Sequence, residues 1–305
     1  MMKKIKFYST LVLLITILSA CSSAGDKPYS FEEVKNDEFE HMHGLGYING
    51  GPEIVISTHD GLYEYGEDGW KEATSEKHDY MGFQAVRDGF FTSGHPEPGS
   101  KLENPFGLIK STDRGASFDK LGFYGEIDFH YLAAGYDSNV IYVLNEMATE
   151  KMSKGLYYTT DEGGSWNEAP MNGLDSEYIS NLNAHPSSEA KIAIGSKDGL
   201  FLSDDYGESF SLFNETKMVT YVTLTEVGGL YADFESEKVK LRSFEFGSDE
   251  VLEISLPEIS PIAFIAVNPE DSKEIVIATH NNDVYLTKDR GINWDPLSEN
   301  GVLVK

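Results

Sequence analysis

The octapeptide "STDRGASF" at residues 111–118 decides the fold, because three variants of it follow: "TTDEGGSW" at 159–166, "SDDYGESF" at 203–210 and "TKDRGINW" at 287–294. Each opens with Ser or Thr, places Asp third and Gly fifth, and ends on an aromatic residue. Those residue types suit a tight hairpin turn. An Asp carboxylate accepts bonds from turn amides, Gly takes a positive φ, and the aromatic ring returns to the core. The third-place residues Asp113, Asp161, Asp205 and Asp289 are 48, 44 and 84 residues apart, and 84 is twice 42. A unit without the octapeptide is therefore expected near "FEFGSDEVL" (244–252). Another ends at "GEDGW" (66–70), whose Trp70 lies 48 residues before Phe118.

The period predicts six units of about four short strands each. In the fourth unit these read "YISNLNAH" (178–185), "AKIAIGS" (190–196), "GLFLSDD" (199–205) and "SFSLF" (209–213). Four-stranded units repeated radially form a β-propeller. The expected fold is all-β, a six-bladed β-propeller over residues 37–305.

The octapeptides resemble the Asp-box, or BNR repeat, of sialidases, sortilin-type receptors and photosystem-assembly propellers. The resemblance implies that each box is the turn between the third and fourth strands of its blade, with Asp113, Asp161, Asp205 and Asp289 as structural residues. The boxes then mark the lower face, and propeller sites usually occupy the opposite, upper face.

On that frame the histidines are unevenly placed. His41 and His43 in "EHMHGLGY" (40–47) open the inner strand of blade one, His78 that of blade two and His130 that of blade three. His59, His95 and His280 end the second strands of blades one, two and six. All seven are expected on the upper face, and only His185 on the lower. Strand alternation would put His41 and His43 on one side, about 7 Å apart. A strand His-x-His with a third imidazole is a way to hold zinc or copper. The candidate metal ligands are thus His41, His43, His78, His95 and His130, with His59 and His280 at the margin. Asp60, Asp79, Glu126 and Asp128 would orient the rings from behind. The competing readings are histidines that pack at strand ends and a polar organic ligand bound without metal. Met42, Met81, Met147 and Met152 would suit copper only if they faced the site. Two long second-to-third-strand connections, "SGHPEPGSKLENPFG" (93–107) and "NEMATEKMSKG" (145–155), add to the same face.

Sialidase chemistry is disfavoured. The resemblance implies three clustered arginines, and the chain has four in all, of which Arg114 and Arg290 lie in box turns. Hydrolysis of another glycoside by two carboxylates stays open, with Asp79, Glu126 and Asp128 as its candidates. The segments "HMHGLGY", "HDYMGF" and "GEIDFH" look like those of bacterial Asp-box propellers often labelled glycosyl hydrolases. A glycan- or protein-binding module is the rival class.

The N-terminal region supplies the location. Lys3, Lys4 and Lys6 precede the apolar run "FYSTLVLLITIL", and "LSAC" (18–21) resembles a bacterial lipobox. The expectation is a signal peptide over 1–20, lipidation of Cys21 and a polar tether over 21–36, giving a monomer held extracytoplasmically at a membrane. Cys21 is the only cysteine, so no thiol remains for a disulfide or a metal. Cleavage would leave 21 basic against 51 acidic residues. That surface repels phosphate backbones, which sets nucleic acid aside.

Overall fold

The computed structural model describes residues 28–214, 218–236, 238–257 and 259–305. The expected signal peptide, the lipidated Cys21 and the first part of the tether lie outside the described residues. Among the described residues, 26 strands form six antiparallel sheets with no helix. Blade one comprises, from the axis outward, Met42–Tyr47, Ile54–Thr58, Gly61–Gly66 and Gly69–Ala73. Blade two comprises Gln84–Val86, Gly89–Thr92, Leu108–Ser111 and Asp119–Gly122, and blade three Tyr131–Ala134, Ile141–Asn145, Gly155–Thr159 and Asn167–Ala169. Blade four, at Ile179–Ala184, Ile192–Ser196, Gly199–Ser203 and Ser211–Asn214, follows the segments read from the sequence. Blades five and six begin at Val219–Thr225 and Ile262–Val267. Each inner strand packs on those of the two flanking blades, and the first packs on the sixth, so the ring closes at six.

The four octapeptide turns share one bonding scheme. In the first, the Ser111 hydroxyl donates to Asp113 Oδ1, which also accepts the Ser117 N–H, while Asp113 Oδ2 accepts the Ser117 hydroxyl. The Gly115 N–H donates back to Ser111 Oγ at 2.8 Å. Asp161, Asp205 and Asp289 repeat the scheme. Two consecutive residues are left-handed in every copy: Arg114 and Gly115, for example, have φ of 63° and 96°. The turn also clamps neighbouring blades, for a Cβ on Gly207 would sit 2.9 Å from Leu156 of the preceding blade.

Ring closure differs from a simple expectation that the chain enters the propeller at residue 37. Phe31–Glu33, assigned above to the tether, pairs with the outer strand of blade one. The chain then crosses to blade six, where Glu38 bridges Val302, the Leu303 N–H donates to Asp37 O and the Phe39 N–H to Gly301 O. The Trp70 indole N–H donates to Leu297 O across the same seam. Phe39, Tyr63 and Trp70 share a buried cluster with Leu297 and Leu303.

Tight inner packing of blades one and two rests on two glycines. A Cβ on Gly44 would lie 2.6 Å from the Phe83 Cβ, and one on Gly46 would lie 2.5 Å from the Ala85 Cβ. Those approaches bring the inner strands of the two blades together.

Candidate functional site

His41 and His43 do not alternate as a regular strand would make them. His41 precedes the strand with φ of 47°, and His43 is the extra residue of a β-bulge between Met42 and Gly44. A bulge re-aims its residue, and here both rings meet His59: the centroid of His59 is 5.2 Å from that of His41 and 4.3 Å from that of His43. His59 comes from the turn between the second and third strands of blade one. Asp79, from the entry to blade two, completes a trio. His43 Nε2 lies 3.2 Å from His59 Nδ1 and 3.3 Å from Asp79 Oδ1, and His59 Nδ1 lies 2.9 Å from Asp79 Oδ2.

These separations suit an ion. Ligand atoms about 2.0–2.2 Å from a tetrahedral centre stand about 3.3 Å apart. Asp79 Oδ1 is shielded from solvent and makes no hydrogen bond of good geometry among the described residues, although His43 Nε2 faces it. Two imidazoles and a carboxylate form a borderline donor set, suited to Zn²⁺ or Cu²⁺ rather than to the all-oxygen preferences of Ca²⁺ and Mg²⁺. Burial, aided by the charges of His59 and His41 and opposed by Asp79, lowers the His43 pKa, which favours the neutral ring a metal requires. Met42 is buried and Met147 points to solvent, so neither adds a thioether.

The other candidates divide into three groups. His78 is fully buried against Tyr80, Phe106 and Phe118. Its Nδ1 accepts the Glu97 N–H at 3.1 Å, so its proton sits on Nε2, 2.8 Å from Glu76. A metal on Nε2 would need Nδ1 to donate, so although Glu76, His78 and Glu97 lie within ligand spacing, His78 is a core link between loops. His95 and His130 instead flank one oxygen of Asp128, at 3.2 and 2.8 Å from Oδ2. Among the described residues, those three do not close to the 4.8 Å spacing that the His43 trio meets. Glu146 stands 3.6 Å from His130 Nδ1. The Asp128 hydrogen bond raises the His130 pKa. His41 and His280 form the third group, lining a cavity at the upper mouth of the axial channel.

Sequence reasoning placed Asp79 behind the imidazoles, and the structure sets it among them. Blade adjacency is what does so: Asp79 and His95 exchange two backbone hydrogen bonds of 3.0 Å, fixing the Asp79 side chain opposite blade one. Of the acids offered for glycoside hydrolysis, Glu126 is taken by an ion pair with Lys151. Burial raises the Asp128 pKa, but the His130 bond, the charges of His130 and His95, and Ser93 outweigh it and hold the carboxyl below its usual range. A general acid needs the reverse.

No family model matches the chain. Sortilin of Danio rerio is 33% identical over 119 residues, which covers 35% of this chain and only 14% of that protein. Among solved structures, a GH74 xyloglucanase from Xanthomonas campestris superposes with a TM-score of 0.56 at 16% identity, over 89% of this chain and 47% of that one. YCF48 bound to a D1 peptide gives 0.51 at 14% identity, over 89% and 85%. The chain thus spans under half of the xyloglucanase and about a seventh of the sortilin. At these structural identities the likeness is one of fold.

Proposed function

We propose that the protein is a lipid-anchored, extracytoplasmic β-propeller lipoprotein whose upper face holds a divalent transition metal ion at His43, His59 and Asp79. The carrying observation is that trio, whose three ligand atoms stand within the spacing of one coordination sphere although they come from three separate chain segments. The chain supplies three ligands, so a bound ion would keep a position open to solvent or to a ligand, as three-ligand sites do. His59 is 45% exposed at its side chain, which leaves that approach clear. The peptide complex of the YCF48 neighbour supports a binding role for a propeller of this shape.

Metal content would be measured by mass spectrometry on the full chain, purified in detergent without a polyhistidine tag. The expected result is about one zinc or copper ion per chain, lost in His59→Ala and Asp79→Ala and kept in His95→Ala. No ion after incubation with either metal refutes the metal reading. Anchoring is tested separately: Cys21→Ser should move the protein from the membrane to the aqueous fraction, and unchanged fractionation refutes it.

A further inference from the structure

A bulge recurs at the same place in four of the six inner strands. Besides His43, the extra residue is Ser180 in blade four, Thr220 in blade five and Ala263 in blade six. Repetition of a local irregularity at one level of a ring is a device for turning side chains, since each bulge interrupts the alternation that would otherwise set their direction. Ser180, Thr220 and Ala263 all line one cavity of about 330 Å³ at the upper end of the channel. Its volume lies within the range of small-molecule sites.

The chemistry of the wall is unlike that of the rest of the protein. In a chain with 51 acidic residues, no Asp, Glu, Lys or Arg among the described residues lines this cavity. Its polar groups include His41, Tyr178, Ser180, Thr220, His280 and Asn282, while the Thr279 hydroxyl is taken by Asp283. Among the described residues, the side chains of His41, Tyr178, His280 and Asn282 make no hydrogen bond to the protein. The Ser180 hydroxyl donates to Val219 O, which leaves its oxygen free to accept, and the Thr220 hydroxyl reaches Ala232 O only at 3.4 Å. Partial burial lowers the His280 pKa, which favours its neutral ring. Tyr221 and Phe264, with ring centroids 5.6 Å apart, supply an aromatic surface below.

We infer that this cavity is a binding site for a neutral polyhydroxylated ligand, a sugar residue. Mixed donors and acceptors of imidazole, amide and hydroxyl type match hydroxyl groups, which both donate and accept. Among the described lining residues an anion would find no Lys or Arg, and a cation would lose its hydration without gaining a carboxylate. The aromatic floor matches the apolar face of a pyranose ring. The site adjoins the proposed metal trio through His41 but requires no ion, so its test is run in chelator.

Saturation-transfer NMR and calorimetry on the full chain with EDTA would use glucose and N-acetylglucosamine as probes, with glucuronate and glucosamine as charged counterparts of the same shape. The expected result is saturable binding of a neutral sugar with a dissociation constant on the order of 1 mM, at least tenfold weaker binding of both charged sugars, and a loss of about fivefold in Thr220→Val. Thr220→Val is nearly isosteric, and an unchanged unfolding midpoint would show that the fold persists. Because the buffer holds chelator, sugar binding measured there is independent of an ion at the metal trio. Absence of saturable binding by either neutral sugar, equal binding of the charged ones, or unchanged affinity in Thr220→Val would overturn the inference.

Discussion

Gly46→Ala is the substitution whose cost the structure states most directly. The added Cβ would sit 2.5 Å from the Ala85 Cβ, against a comfortable carbon separation of about 3.5–4.0 Å. Blades one and two must therefore part by about 1 Å along their inner strands. Overpacking of this kind costs about 1–3 kcal/mol, reduced by about 0.4–1 kcal/mol because alanine restricts the unfolded chain. The compensating change is Ala85→Gly, after which the nearest atoms to the new methyl are the residue 85 Cα at 3.8 Å and N at 3.9 Å, ordinary contacts. Urea unfolding followed by tryptophan fluorescence, at constant m-value, gives the cycle. The single variant should lose about 1–2 kcal/mol and the double variant should recover most of it. A second readout connects packing to the site: His43 and His59 ride on blade one and Asp79 on blade two, so the single variant should also bind metal more weakly. A Gly46→Ala protein as stable as the parent, or a double variant no better than the single, would show that the inner strands do not meet in this register.

Three further outcomes follow from other parts of the ring. The Thr159 hydroxyl, then the Ser165 N–H and hydroxyl, hold the Asp161 pKa down to about 2; a depressed carboxyl stabilises above its unfolded pKa and loses that contribution as pH falls from about 4 towards 2, so Asp161→Asn should flatten acid unfolding in that window. Burial, against an opposing Glu226, lowers the His185 pKa, and its Nδ1 accepts the Ser187 and Ser188 N–H groups. The unfolded chain takes up that proton below about pH 6.5 and the folded chain resists it. The stability is thus present above that pH and lost below, and His185→Asn should narrow the difference between urea midpoints at about pH 7.5 and 5.5. Phe39→Ala should cost about 3–5 kcal/mol in urea unfolding, because the ring is 4% exposed and packs on Tyr63 and Trp70 at the seam between blades one and six.

The blades were legible because the octapeptide turn needs the same residues in every copy: an acceptor carboxylate, a left-handed glycine and a hydroxyl or amide four residues on. "YISNLNAH" likewise announced its strand by β-branched and apolar spacing. The bulges were not legible, since "HMHGLGY" and "MVTYVTLT" contain nothing that marks one extra residue; a bulge is set by the pairing partner, not by the strand itself. The role of Asp79 was hidden for a similar reason. Its neighbours in sequence, His78 and Tyr80, turn into the core, and its partners lie in the next blade. His78 shows the opposite error of a motif reading: an imidazole in the right place by sequence has both nitrogens already engaged.

The stitched entry of the chain has a mechanical side. The segment Phe31–Glu33 lies on the outer edge of blade one, held by three residue pairs and by the Tyr29 hydroxyl, which donates to Arg114 O. Only beyond it does the chain reach the Asp37–Phe39 stretch that ties blade six to the ring. Tension applied at the N-terminal side meets these two attachments in series, edge strand first. Peeling residues 28–36 would pay out about 30 Å of chain before any load reached the closure. The edge strand thus stands first in the line of load, ahead of the contacts that join blade six to the ring.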